Sequence, residues 1–273
     1  MDYLNRGLAP FPKSVWDAID DAAASAARAR LTGRRFLDLE GPFGTGLTTI
    51  EVGNDDYCRQ PGPDEAGAIM GHAIPVPMLR KSFRVSVRRV AAYVENGQPL
   101  DLAAVQDAAE AVADREEEFI YKGQPDFGLS GLLNAEGRQH IDGSDWATPQ
   151  RALQDVLAAV TRLDSSGFRG PYALVLEPAL YNNLFLLFPG SDVLPLEHLR
   201  RLCTGGIYKT AIEGGVLVDQ SAGVLILGQD LRSGFIGLDG VHYQLYLSES
   251  IVLRIDDPEG ICTIAARTGT PTG

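Results

Sequence analysis

The spacing of apolar residues divides the chain into blocks of two different periods. After a proline-punctuated arm over residues 5–12, Val15, Trp16, Ile19, Ala22, Ala23 and Ala26 recur at helical spacing and predict a helix reaching about Leu31. Ser14 stands where an N-cap would, with Asp17 three places on, and Gly33 stops the helix. A short strand through Phe36, Leu37 and Leu39 follows and ends at Gly41-Pro42. Residues 45–78 show little local core. Residues 48–52 read as a strand and 69–77 as its return, and the stretch between is polar and rich in Gly, Pro and Asp. A two-stranded arm of this kind is marginal in water and needs a neighbour to lie on. Strand alternation returns over 79–87, and a short helix is expected over 90–94 before Asn96-Gly97. The strongest helical stripe, Leu102, Val105, Ala108, Ala109, Val112, Phe119 and Ile120, runs up to Gly123.

Beyond a turn-rich stretch, Leu153, Val156, Leu157 and Val160 mark an amphipathic helix over 151–163. The continuous apolar run Tyr172-Ala173-Leu174-Val175-Leu176 is that of a strand buried on both faces. Helices are expected over 181–187 and 196–202, joined by a loop over 188–193. From residue 207 strands dominate, at 215–218, 223–227, 243–247 and 250–255. The helices and strands do not alternate as βαβ units, so the class is α+β. The 273 residues suit one large domain or two closely packed ones.

Charge narrows the choice of partners. Lys and Arg number 24 against 36 Asp and Glu, a net charge of −12, which disfavours general nucleic-acid binding. Arg80, Lys81, Arg84, Arg88 and Arg89 form a local exception. It reads as a solvated or subunit-facing strand edge, or as a small nucleic-acid patch. Asp114, Glu116, Glu117 and Glu118 form an acidic run on the long helix, either a solvated or interface face or an ion site. Carboxylate di-iron sites draw Glu-x-x-His pairs from more than one helix, and this helix has no His.

Candidate chemistry is sparse. Cys58, Cys203 and Cys262 are far apart and odd in number, which suits a reduced cytosolic protein, and the opening residues lack the apolar run of an export signal. His72, His140, His198 and His242 accompany no Gly-x-Ser-x-Gly elbow and no His-Glu-x-x-His motif. The glycines of 41–46 lack the Gly-Lys-Ser/Thr of a phosphate loop. No catalytic or metal-binding set is therefore assigned, and a soluble enzyme is the weakest reading.

A series of segments, taken in order, resembles the encapsulin (linocin-like) shell family, over nearly the whole chain. They are Asp2-Tyr3-Leu4-Asn5-Arg6-Gly7-Leu8-Ala9-Pro10; Leu31-Thr32-Gly33-Arg34-Arg35-Phe36-Leu37-Asp38-Leu39-Glu40-Gly41-Pro42; Glu117-Glu118-Phe119-Ile120-Tyr121-Lys122-Gly123; Gly170-Pro171-Tyr172; and Leu227-Gly228-Gln229-Asp230-Leu231. The resemblance implies the tailed-phage major-capsid fold of the Hong Kong 97 type, and a phage capsid protein is the runner-up. It implies a lumen-facing N-terminal helix and start of a peripheral domain over 1–44, and an extended loop over 45–78. The peripheral domain with its spine helix would follow over 79–167, an axial domain over 168–228, and the return to the peripheral domain over 229–273.

The resemblance also implies a closed icosahedral homo-oligomer in the cytoplasm, enclosing a cargo enzyme that is loaded through a short C-terminal tag. The cargo would be a ferritin-like iron oxidase, a hemerythrin or a dye-decolourising peroxidase, with neither membrane nor specific nucleic acid as partner. The smallest shell, T=1, is favoured by the N-terminus, while residues 252–263 resemble the larger T=3 or T=4 shells. Cargo contacts are expected at Arg34, Phe36 and Asp38, with Leu231 and Phe235 beside them. A pore is expected at Phe188, Pro189, Gly190, Ser191, Asp192 and Val193, where repeated carboxylates of Asp192 would concentrate cations. Family members that bind flavin use a Trp where this chain has Arg88, so no cofactor is expected.

Overall fold

The structure, a computed structural model, describes residues 2–187 and 192–265. Helix α1 (Lys13–Arg30) buries Val15 and Ile19 completely. Ser14 lies inside it and is not its cap. The cap position falls on Pro12, which is extended, and Lys13 pairs with Asp17 one turn on at 2.7 Å. A 3-10 turn, Gly33–Arg35, then takes the place of the expected strand start and tucks Phe36 and Leu37 inward, leaving β1 with Asp38–Glu40.

The arm is present as β2 (Thr49–Tyr57) and β3 (Ile69–Pro75), paired only with each other in an antiparallel sheet of two strands. It leads into β4 (Met78–Ser86), α2 (Val87–Asn96) and α3 (Ala103–Lys122). Gly123 ends α3 at φ 65°, where an added Cβ would lie 2.3 Å from the Leu129 carbonyl oxygen. No other residue fits that corner.

The second half contributes β5 (Gln139–Ile141), α4 (Pro149–Ser165), β6 (Tyr172–Leu176), α5 (Pro178–Asn183) and α6 (Pro195–Leu202). Helix α5 begins and ends earlier than expected, because Pro178 sets its first turn and Phe185, Leu186 and Leu187 turn out to solvent. Strands β7 (Gly206–Lys209), β8 (Gly215–Asp219), β9 (Gly223–Asp239), β10 (His242–Ile255) and β11 (Ile261–Ile264) complete the chain. The short strands expected near 223, 243 and 250 fuse into one long bulged hairpin of β9 and β10.

Two sheets organise the core. One runs β1-β9-β10-β4 and carries α1 and α3; the other runs β5-β11-β8-β6-β7. The second sheet is a wall between two apolar clusters. Ala173, Val175, Val216 and Val218 face the α1–α3 side, whereas Tyr172, Leu174, Leu176 and Leu217 face α4, α5 and α6. Burial on both faces is why β6 reads as an unbroken apolar run. Helix α4 and strand β11, which lie outside residues 168–228, pack into the same body as β6 and β8.

Candidate functional site

Two segments that are distant in sequence interlock behind α1. Glu117 on α3 accepts hydrogen bonds from the backbone N–H of Thr32 (2.8 Å) and Gly33 (2.9 Å), and from the Thr32 hydroxyl. Gly33 sits so close to α3 that an added Cβ would meet Ile120 Cδ1 at 2.6 Å. Arg34 follows immediately. Its Nε and Nη2 hold both oxygens of Glu116 at 2.7 and 2.8 Å, Nη2 also donates to Glu249 at 2.8 Å, and Nη1 reaches Asp230 at 3.2 Å.

The last two carboxylates are brought in by a β-bulge. Ser248 pairs with Arg232 and Ser250 with Gln229, so Asp230 and Leu231 stand opposite the single Glu249 and both strands are re-aimed toward α3. Glu116 is 0 % and Glu249 2 % exposed. Burial, with the charge of Glu116 beside it, pushes the Glu249 carboxyl well above the usual carboxylate range. Burial also raises Glu117, against the pull of its amide and hydroxyl donors. The acidic run expected to be a solvated or interface face is therefore split: Asp114 and Glu118 are exposed, while Glu116 and Glu117 point inward. Inward carboxylates are tolerated here because a guanidinium and two backbone amides meet them.

Beside this network lies a groove of about 530 Å³ between α1, β1, α3 and β9. Its apolar surface comes from Ala27, Leu31, Leu39, Ala113 and Leu231, and Arg34, Glu116, Asp230 and Glu249 line its polar end. The alanine-rich face of α1 leaves the space, and Leu39 stays 47 % exposed. The arrangement offers an apolar trough closed by fixed charges, suited to holding a short extended segment.

The residues expected at a docking site separate into three places. Arg34 and Leu231 line the groove. Asp38 is exposed and accepts a hydrogen bond from Gln220 at 2.7 Å, in a depression with Arg169 and Asp219. Phe36 (6 % exposed, ring 5.5 Å from Tyr208) and Phe235 (8 %, beside Phe11 and Tyr243) are core residues and offer no free apolar surface. Of the expected pore segment, Phe188, Pro189, Gly190 and Ser191 lie outside the described residues, while Asp192 and Val193 are exposed just before α6. The partners that sequence reasoning missed are Glu116, Asp230 and Glu249. No motif spacing links them to Arg34: the packing of α3 against the Gly33–Arg35 turn brings Glu116, and the bulged pairing of β9 with β10 brings Asp230 and Glu249.

Elsewhere the chemistry is quiet. Burial pushes the Cys203 thiol up to about 12 and that of Cys262 to about 11, away from thiolate reactivity. His140 Nδ1 lies 2.9 Å from the Thr263 hydroxyl. Among the described residues no group of three His, Cys, Asp or Glu side chains could hold a metal ion. Nor, among them, is any helix long and apolar enough to cross a membrane.

Comparison with known proteins agrees with this architecture. In fold the chain resembles a virus-like particle subunit from Pyrococcus furiosus (TM-score 0.73, 22 % identity, 92 % of this chain and 99 % of that one). It also resembles the capsid of the myovirus phage XM1 (TM-score 0.60, 16 % identity, 86 % and 90 %). The fold is thus the α+β major-capsid type expected. In sequence it is 30 % identical to the type 1 encapsulin shell protein of Myxococcus xanthus over 98 % of both chains. It is 31 % identical to that of Rhodococcus erythropolis, over 97 % of this chain and all of the other. Residues 1–252 match the family model described as an encapsulating protein for peroxidase. Fold, whole-length similarity and family match converge: this chain belongs to the encapsulin family of shell proteins.

Proposed function

We propose that this chain is the repeating wall unit of a closed icosahedral compartment that encloses a cargo enzyme in the cytoplasm and has no active site of its own. The observation that carries the reading is the arm. Its base packs through Leu47, Ile50 and Ile74 against Val224, Ile226 and Val252, but beyond it Ile69 and Met70 are 56 % and 61 % exposed and belong to no hydrophobic cluster of the described residues. A neighbouring copy would supply that cover.

The groove between α1 and α3 is the docking site for the cargo's tail, with Leu31, Leu39 and Leu231 taking its apolar side chains and Arg34 fixing its backbone or a carboxylate. In this reading α1 faces the lumen, small solutes pass near Asp192 where α6 begins, and the cargo is an iron-storing or peroxidase-type enzyme. The peroxidase part of the last assignment is supported by the family's description as an encapsulating protein for peroxidase. No flavin is bound, because Arg88 offers a cation where a stacking ring would be needed.

The test is to co-express the chain with a reporter carrying the C-terminal segment of a neighbouring gene's enzyme. Leu231→Asp should empty the particles while leaving the assembly and diameter of the shell unchanged. Full loading of that variant would remove the groove from the account.

A further inference from the structure

Among the described residues, the basic strip is a strongly charged surface that the groove and the cage reading leave unused. Arg80, Lys81 and Arg84 on β4, and Arg88 and Arg89 at the start of α2, are all exposed in a chain of net charge −12. Arg84 on β4 pairs with Asp239 at the end of β9 at 2.9 Å, and Arg80 Cζ lies 3.8 Å from the centroid of the Tyr246 ring. Among the described residues no carboxylate reaches Arg80, Lys81, Arg88 or Arg89. The strip borders exposed apolar surface as well. Leu238 and Val241, at the turn between β9 and β10, are 68 % and 69 % exposed, and the Val241 carbonyl accepts the Val87 N–H.

The arm has the complementary make-up. Residues 45–78 contain Glu51, Asp55, Asp56, Asp64 and Glu65 against a single arginine, Arg59, a net −4. They also present Ile69 and Met70 to solvent. The arm leads away from the far part of its own subunit's strip. It leaves the sheet at the Met78 end of β4, beside Arg80, whereas Arg84 lies about 20 Å further along at strand rise, with Arg88 and Arg89 beyond it.

We infer that the acidic arm of one copy docks on the strip formed by Arg80, Arg84 and Arg88 of a second copy, with Ile69 and Met70 against the Leu238–Val241 turn. This rests on the reading of the arm as an inter-subunit clasp and names the surface it clasps. Complementary charge of this kind sets which faces meet and in what register, more than it sets how tightly they hold. It also assigns the strip to protein, not to nucleic acid.

Reversal and restoration of charge test the inference. Arg84→Glu with Arg88→Glu should lower the yield of closed particles by about tenfold or more, because two acidic surfaces then face each other. Adding Glu51→Lys, Asp64→Lys and Glu65→Lys to the same chain should restore the yield. A second measurement does not depend on assembly yield. Cys58 is a free, exposed thiol at the end of the arm, and Cys203 and Cys262 are buried. A short thiol-to-thiol linker should therefore join Cys58 to an Arg88→Cys position of another copy, giving covalent ladders, and should give none with Glu259→Cys.

If charge reversal leaves particle yield unchanged, or if the ladders do not form, the docking surface is wrong. The clasp itself would still stand if removing residues 54–67 abolished closed particles. Closed particles that lose co-purifying nucleic acid on Arg84→Glu with Arg88→Glu would also overturn the inference.

Discussion

The interlock behind α1 and the arm of β2 and β3 answer the same physical demand in opposite ways. In the interlock, three carboxylates leave water and meet donors inside the subunit: Glu117 the amides of Thr32 and Gly33, Glu116 the guanidinium of Arg34 through both oxygens, and Glu249 the same guanidinium through Oε2, its Oε1 being buried without a donor among the described residues. In the arm, the two strands pair only with each other, with a register break between Val52 and Asp56, and the outer part of β3 has almost no apolar cover. The first region is finished by its own chain and holds the subunit's shape. The second is unfinished, and only another molecule can complete it. Stability and assembly therefore have separate addresses in this fold.

The largest effect expected from that separation is on assembly. Removing residues 54–67 should abolish closed particles while leaving the unfolding midpoint of the subunit unchanged; sizing under native conditions and denaturant titration read the two quantities independently. A comparable fall in subunit stability would erase the distinction. Next in size is Glu116→Ala, which strands the Arg34 guanidinium beside fewer carboxylates. Arg34 keeps Glu249 and Asp230, so the loss is that of charge-assisted hydrogen bonds, about 1.5–3 kcal/mol, and the denaturant midpoint should fall accordingly.

Smaller, and dependent on pH, is the contribution of Glu249. Burial and the neighbouring Glu116 raise its folded value, whereas in the unfolded chain it ionises near the ordinary value of about 4. Its contribution is therefore complete below that ordinary value and is lost as the pH rises through the raised one, by at most about 1.4 kcal/mol per pH unit. Glu249→Gln should flatten the decline in thermal midpoint as the pH rises above the ordinary carboxylate value, and a slope equal to the parent's would show that another group governs it. The smallest effect is kinetic. Asp192→Lys should slow uptake of a trivalent probe ion into the particle without altering particle mass, and unchanged uptake would place the passage elsewhere.

The contrast between the two regions also explains what could be read from the sequence. The arm was legible because a missing core is a statement about local pattern: residues 45–78 carry strand signals with little apolar period beneath them. Strand β6 was legible because burial on both faces writes itself as five consecutive apolar residues. The carboxylates of α3 were not. Glu116 and Glu117 look like any solvated helix face until Arg34 and Gly33, more than eighty positions away, are placed against them. The inward turn of Phe36 and the fusion of the short strands into β9 and β10 were hidden for a related reason: a 3-10 turn and three bulges break the period that local reading depends on. Of the docking residues, Arg34 and Leu231 reached the groove, while Phe36 and Phe235 went to the core.

The central claim is that the arm is completed by a neighbour in a closed shell. Its most direct test is the native mass of the purified, unmodified chain, with amide exchange over residues 45–78 followed on the same sample. The account predicts particles in the megadalton range in which arm amides exchange slowly, and fast exchange once the particles are taken apart into folded subunits. A folded chain that stays monomeric or in small oligomers, with its arm protected all the same, would contradict it.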